Sequence, residues 1–149
     1  MGQHVMPLID AGKVGFRSGL YMASADEIYI KVIGKGGHGA HPHQNIDPVY
    51  ISAQIITQLQ SVVSRHAKPS IPSVLSIGKV IANGATNIIP NEVSMEGTFR
   101  TYDEEWRNKA HKIIEKTCND TAEIHGAKCE VEVRNCLLYT SPSPRDRVQ

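Results

Sequence analysis

Three of the seven histidines, His38, His41 and His43, crowd one short stretch that reads GGHGAHPH from Gly36. An imidazole can ligate a metal, shuttle a proton, or donate a hydrogen bond to an oxygen that gains charge during a reaction. His38 is set apart by Gly37 and Gly39 on either side, because a backbone without Cβ atoms can pass close to a ligand. A zinc site built from all three is not expected, since Pro42 stiffens the His41–His43 pair and no helix spaces the ligands. Taken singly, each is equally well a solvated loop residue.

Two further polar residues lie where apolar runs end. Asn87, in Thr86-Asn87-Ile88-Ile89-Pro90, offers an amide donor and a carbonyl acceptor together. Arg100, in GTFRT, could grip a carboxylate through two parallel hydrogen bonds. Alone, the first is better read as a turn residue and the second as a solvated strand-end charge. His4, in GQHVMP, is by itself only a histidine near one end. Gly34-Lys35-Gly36-Gly37 matches the GXXG loop with which KH domains clamp nucleic acid. A KH loop joins two helices, however, whereas the residues before Gly34 alternate like a strand and Gly39 and Pro42 follow.

The segments that must carry these loops have clear periods. Asp26 to Gly34 sets Ile28, Ile30 and Val32 on one face, which is strand alternation. Asp47-Pro48 opens a helix, with Asp accepting from free N–H groups and Pro at the first helical position. Val49, Ala53, Ile55, Ile56, Leu59, Val62 and Val63 are its expected buried stripe, and Lys68-Pro69 closes it. Strands are expected at Ser73–Ile81, at Glu92–Tyr102 with Val93, Met95, Gly97 and Phe99 sharing a face, and at Cys129–Asn135. Between the last two, Asp103 caps a helix whose stripe is Trp106, Ala110, Ile113, Ile114 and Cys118, and Gly126 ends it. The order is β-α-β-β-α-β. That predicts an α+β, ferredoxin-like domain: one four-stranded antiparallel sheet with two helices on one face.

Composition narrows the class. Hydrophobic residues make up 40% and charged residues 21%, as in an ordinary globular chain. Every apolar run is interrupted before it could cross a bilayer, so no membrane partner is expected. The start lacks the pattern of a secretion signal, and the three cysteines have neither metal-ligand spacing nor an even count, which together point to the cytoplasm. Residues 136–149 break the logic of the chain. CLLYTSPSPRD resembles one reading frame of a transposon-type sequencing adapter, so this segment is expected to be a non-native tail. Setting it aside leaves 14 basic and 14 acidic residues of the original 16 and 15. A neutral body argues against nucleic acid as a partner.

Four separated features now resemble one family: GQHVMPLIDAGKVGFRSG, IKVIGKGGHGAHPHQNIDPV, NGATNIIPNEVSMEGTFRT, and the βαββαβ order around them. Together they resemble the M20 metallopeptidases, in the branch of hippurate hydrolases and indoleacetyl-amino-acid hydrolases. The resemblance implies a metal-dependent amidohydrolase that cleaves N-acyl amino acids, with two divalent ions, zinc or manganese, in the intact enzyme. It implies that residues 1–24 end a catalytic domain and that residues 25–135 are its lid and dimerisation domain. His4 would then be a metal ligand, and His38 the catalytic lid histidine that polarises the scissile carbonyl in the partner subunit. Asn87, Arg100, Gly37 and Gly39 would bind substrate, Arg100 through its free carboxylate. The remaining metal ligands and the general-base glutamate have no counterpart, so this piece alone is expected to be inactive. It is expected to pair as a homodimer through the strand Ser73–Ile81 and the helix Asp47–Arg65. The competing reading is a stand-alone ferredoxin-like module that binds a ligand or nucleic acid.

Overall fold

The computed structural model describes residues 7–16, 19 and 22–135. Within them the chain forms β1 (Asp26–Ile33), a two-residue strand β2 (Gly37–His38), α1 (Pro48–Ser61), β3 (Ser73–Ile81), a second two-residue strand β4 (Ile88–Ile89), β5 (Glu92–Thr101), α2 (Glu104–Ile124) and β6 (Lys128–Arg134). The four long strands make one antiparallel sheet in the order β3-β5-β1-β6. This is the ferredoxin-like arrangement expected from the sequence.

Alternation decides which face is covered. Ile28, Ile30 and Val32 of β1 and Val93, Met95 and Phe99 of β5 are buried under the helices, which meet them with Ile51, Ile55 and Leu59 of α1 and Trp106, Ala110, Ile114 and Cys118 of α2. Each such aliphatic or aromatic side chain contributes about 1.5–3 kcal/mol by leaving water. Helix α1 starts as expected, with Asp47 Oδ1 accepting from the N–H groups of Val49 and Tyr50 at 2.8 and 3.2 Å. Its stripe differs in phase from the expected one. Val49 and Ala53 face outward, and Ile51 and Ser52 take the inner positions. The spacing Pro48, Ile51, Ile55, Leu59, Val62 holds the stripe over the sheet, and Val49 falls outside it.

Helix α2 begins with Asp103 Oδ1 accepting from Trp106 N–H at 2.7 Å. It ends where Gly126 takes a positive φ of 75°. The N–H of Gly126 reaches the carbonyl of Glu123 and that of Ala127 reaches Ala122, which turns the chain back along α2 into β6.

One charged cluster lies inside this core. Asp26 is fully buried at the start of β1, and Arg107 and His111 of α2 converge on it. Arg107 Nε donates to Asp26 Oδ2 at 2.8 Å and its second nitrogen donates to Oδ1, while Arg107 also reaches Glu104. Burial by itself pushes the Asp26 carboxyl up, but the hydrogen bonds from Arg107 and then His111, with their charges, outweigh it and hold the group below its ordinary value. Close by, Ser24 N–H donates to the Thr101 carbonyl at 2.8 Å, and Glu27 pairs with Arg134. The chain therefore enters and leaves the sheet side by side.

Candidate functional site

The two loops singled out for chemistry meet at the far end of the sheet. Strand β2 pairs antiparallel with β4, Gly37 opposite Ile89 and His38 opposite Ile88. The N–H of Gly39 extends the contact by donating to the Asn87 carbonyl at 2.8 Å. His38, Gly37, Gly39 and Asn87 are thus neighbours, although the sequence showed these segments only as loops.

Local bonds fix the geometry further. Asn45 Nδ2 donates to the His38 carbonyl at 3.1 Å, and Asn91 Oδ1 accepts from the Gly36 N–H at 3.0 Å. Lys35 and Ile46 exchange both backbone hydrogen bonds at 2.9 Å, which closes the base of the loop. Sequence reasoning missed Asn45 and Asn91. The only signal for them was an amide side chain at each loop's shoulder. The glycines serve the loop itself: a Cβ on Gly36 would strike the carbonyl of Ile89, and one on Gly37 would strike the Asn45 side chain. Gly39 is less confined, a Cβ there lying 3.4 Å from the Asn87 carbonyl oxygen.

The His38 ring is exposed but oriented. Ala40 N–H donates to His38 Nδ1 at 3.1 Å. Nδ1 is then the acceptor, which leaves Nε2 as the N–H donor of the neutral ring. His41 packs near it, ring centres 5.2 Å apart, with His43 a further 6.1 Å on from His41. Among the described residues no group of three or more His, Cys, Asp and Glu could hold a metal ion. The three imidazoles of the loop are not such a group.

Arg100 lies elsewhere. It is exposed on β5 opposite Val74, near the buried Asp26 end, whereas Val93 at the other end of β5 pairs with Val32 beside the histidine loop. Extended backbone from Glu92 to Arg100 covers about 26 Å. His4 lies outside the described residues, as does the segment 136–149. The GXXG segment runs from strand to strand, β1 to β2, and not between helices, in keeping with its rejection as a KH loop.

The comparisons agree with this fold. Residues 24–126 match the model of the M20 peptidase dimerisation domain. The chain belongs to the M20 peptidase family. Relatives of this M20 chain include an N-acyl-L-amino acid amidohydrolase of Geobacillus stearothermophilus, 43% identical over 97% of this chain and 40% of that protein. Thermostable carboxypeptidase 2 of Saccharolobus solfataricus is 38% identical over 88% of this chain and 33% of its own length. Among solved structures, a Bacillus subtilis dinuclear metal-binding peptidase of the M20 family superposes with a TM-score of 0.64 at 30% identity, over 90% of this chain and 32% of that one. The M20 chain therefore spans about two fifths or less of the length of these relatives. Its match to a domain of longer enzymes does not favour the stand-alone module. No helix among the described residues is long and apolar enough to cross a membrane.

Proposed function

We propose that this chain is the substrate-capping and dimerising lid of a metal-dependent amidohydrolase that cleaves N-acyl amino acids. The β2–β4 pairing carries the reading: it sets His38 opposite Ile88 and Gly39 against Asn87, with Nε2 left as the N–H of the neutral His38 ring. Such a donor matches the carbonyl oxygen of a scissile amide, which gains negative charge as the carbon becomes tetrahedral. Asn87, held against Gly39 by its backbone, adds an amide to orient the acyl group. The names of the relatives support the substrate class.

The zinc or manganese of the intact enzyme, with His4 among its ligands, belongs to the catalytic domain that residues 1–24 would end. Leu8, Val14 and Phe16 in that stretch are exposed apolar residues without a core of their own, which supports the boundary at residue 25.

The lid works as a homodimer. Its edge strand β3 exposes Val74, Val80 and Ile81 at 51%, 51% and 39%. An open strand with apolar side chains is a ready surface for pairing with a second copy. In that dimer His38 and Asn87 serve the substrate held by the partner. Arg100, at the opposite end of β5, is too far from them to share one small substrate within a lid. It takes the free carboxylate in its own subunit's cleft.

Activity on N-acetyl amino acids, followed by release of the amino acid from the full-length enzyme, tests the reaction. Mixing full-length His38→Ala with Arg100→Ala tests the division of labour. A mixed dimer has one site with both groups intact, so random exchange restores about a quarter of wild-type turnover. No release of amino acid by the wild type refutes the activity. No recovery on mixing means that both residues of a site come from the same subunit.

A further inference from the structure

Two cysteines outside the candidate site face each other across the helix–sheet packing. Cys118 is fully buried on the sheet-facing stripe of α2. Cys129 is the second residue of β6, half-buried on the helix-facing side, and packs against the core cluster that contains Cys118. Both are free thiols on the packed faces of α2 and β6. The turn through Gly126 and Ala127 brings them together by laying β6 back along α2.

We propose that Cys118 and Cys129 form a redox-responsive pair that closes to an intradomain disulfide and staples α2 to the edge strand β6. Cys129 is the attacking member because it is the more accessible of the two. The neighbouring Cys118 thiol holds the Cys129 thiol below its ordinary value, while Cys129 and burial push Cys118 up. With oxidised glutathione as oxidant, the Cys129 thiolate attacks one sulfur and expels a glutathione thiolate. Cys118 then gives up its proton, attacks Cys129 Sγ and expels the second. Two protein thiols are oxidised by two electrons, and one oxidised glutathione becomes two reduced molecules, which take up the two protons.

Peptide mapping of the full chain tests this directly. Trypsin cleaves after Lys116, Lys128 and Arg134, so Cys118 lies in Thr117–Lys128, Cys129 in Cys129–Arg134, and Cys136 in a third peptide. After equilibration of the folded protein with oxidised glutathione, alkylation and non-reducing digestion, mass spectrometry is expected to find the first two peptides joined. Tm is expected to rise by several degrees and to fall back on adding dithiothreitol. Cys129→Ser is expected to remove both the link and the rise, and Cys118→Ala to leave glutathione on Cys129. Recovery of both peptides alkylated overturns the proposal. So does glutathione retained on Cys129 in the wild type, Cys136 as the partner, or a link that forms only in denaturant. The wild-type map stands even where a variant fails to fold.

Discussion

Arg107 closes on Asp26 in the interior, guanidinium against carboxylate, joining α2 to the first residue of β1 where the chain enters the sheet. Asp26 is fully buried and Arg107 nearly so, with His111 on the second carboxylate oxygen. Removing one partner strands a buried charge, so Asp26→Asn is expected to cost about 3–5 kcal/mol in urea unfolding. Replacing both, as Asp26→Leu with Arg107→Met, is expected to recover most of that loss.

The same contact sets a pH dependence. The Asp26 carboxyl titrates lower in the folded chain than its ordinary value of 3.8. Its contribution is fully present above that value and is lost as pH falls through the lower folded value. Wild-type stability should therefore drop steeply below about pH 4, and Asp26→Asn should show a shallower acid limb in a pH series of unfolding curves.

In the full-length enzyme, His38→Ala is expected to lower kcat by about 10²–10³ while leaving KM and Tm nearly unchanged. The ring is exposed and contributes nothing to the core, so a fall in Tm of the same variant would point to a structural role. Unchanged turnover would remove His38 from the reaction.

Gly36→Ala tests the loop pairing separately from the chemistry. The added methyl meets backbone at Ile89 and Pro90, which cannot move aside as a side chain would. A destabilisation of about 1–3 kcal/mol is expected. Turnover should fall as well, because the β2–β4 contact that places His38 beside Asn87 must open. Wild-type turnover in this variant would show that the pairing is not what positions the histidine.

Val80→Lys places a charge on the exposed edge strand β3. In the proposed homodimer, sedimentation is expected to show association weakened by about 2 kcal/mol, with Tm of the monomer little changed. An unaltered dissociation constant would move the interface off β3.

Most of the scaffold was legible because it rests on periods. The alternation of Ile28, Ile30 and Val32, the caps Asp47 and Asp103, and Gly126 each carry a local physical signal that tertiary packing did not override. The phase of α1 was harder. Val49 and Ala53 keep helical spacing with Ile56 and Val63, yet the sheet selects the row through Ile51, Ile55 and Leu59. Strands β2 and β4 have two residues each, too few to alternate, and exist only because they find each other across the fold. The buried charge cluster was hidden for a related reason. Arg107 lies one position from Trp106 on the inner stripe of α2, but nothing local tells a buried arginine from a solvated one until Asp26 is placed opposite it.

The pairing of Glu27 with Arg134 has a mechanical corollary. Both covalent connections of the sheet leave from adjacent points at one end, while His38 sits at the other. The described fold is therefore anchored at one end of its sheet and carries the β2–β4 loops at the other, like a lever. A small angular change at Asp26 becomes a displacement many times larger at the histidine tip.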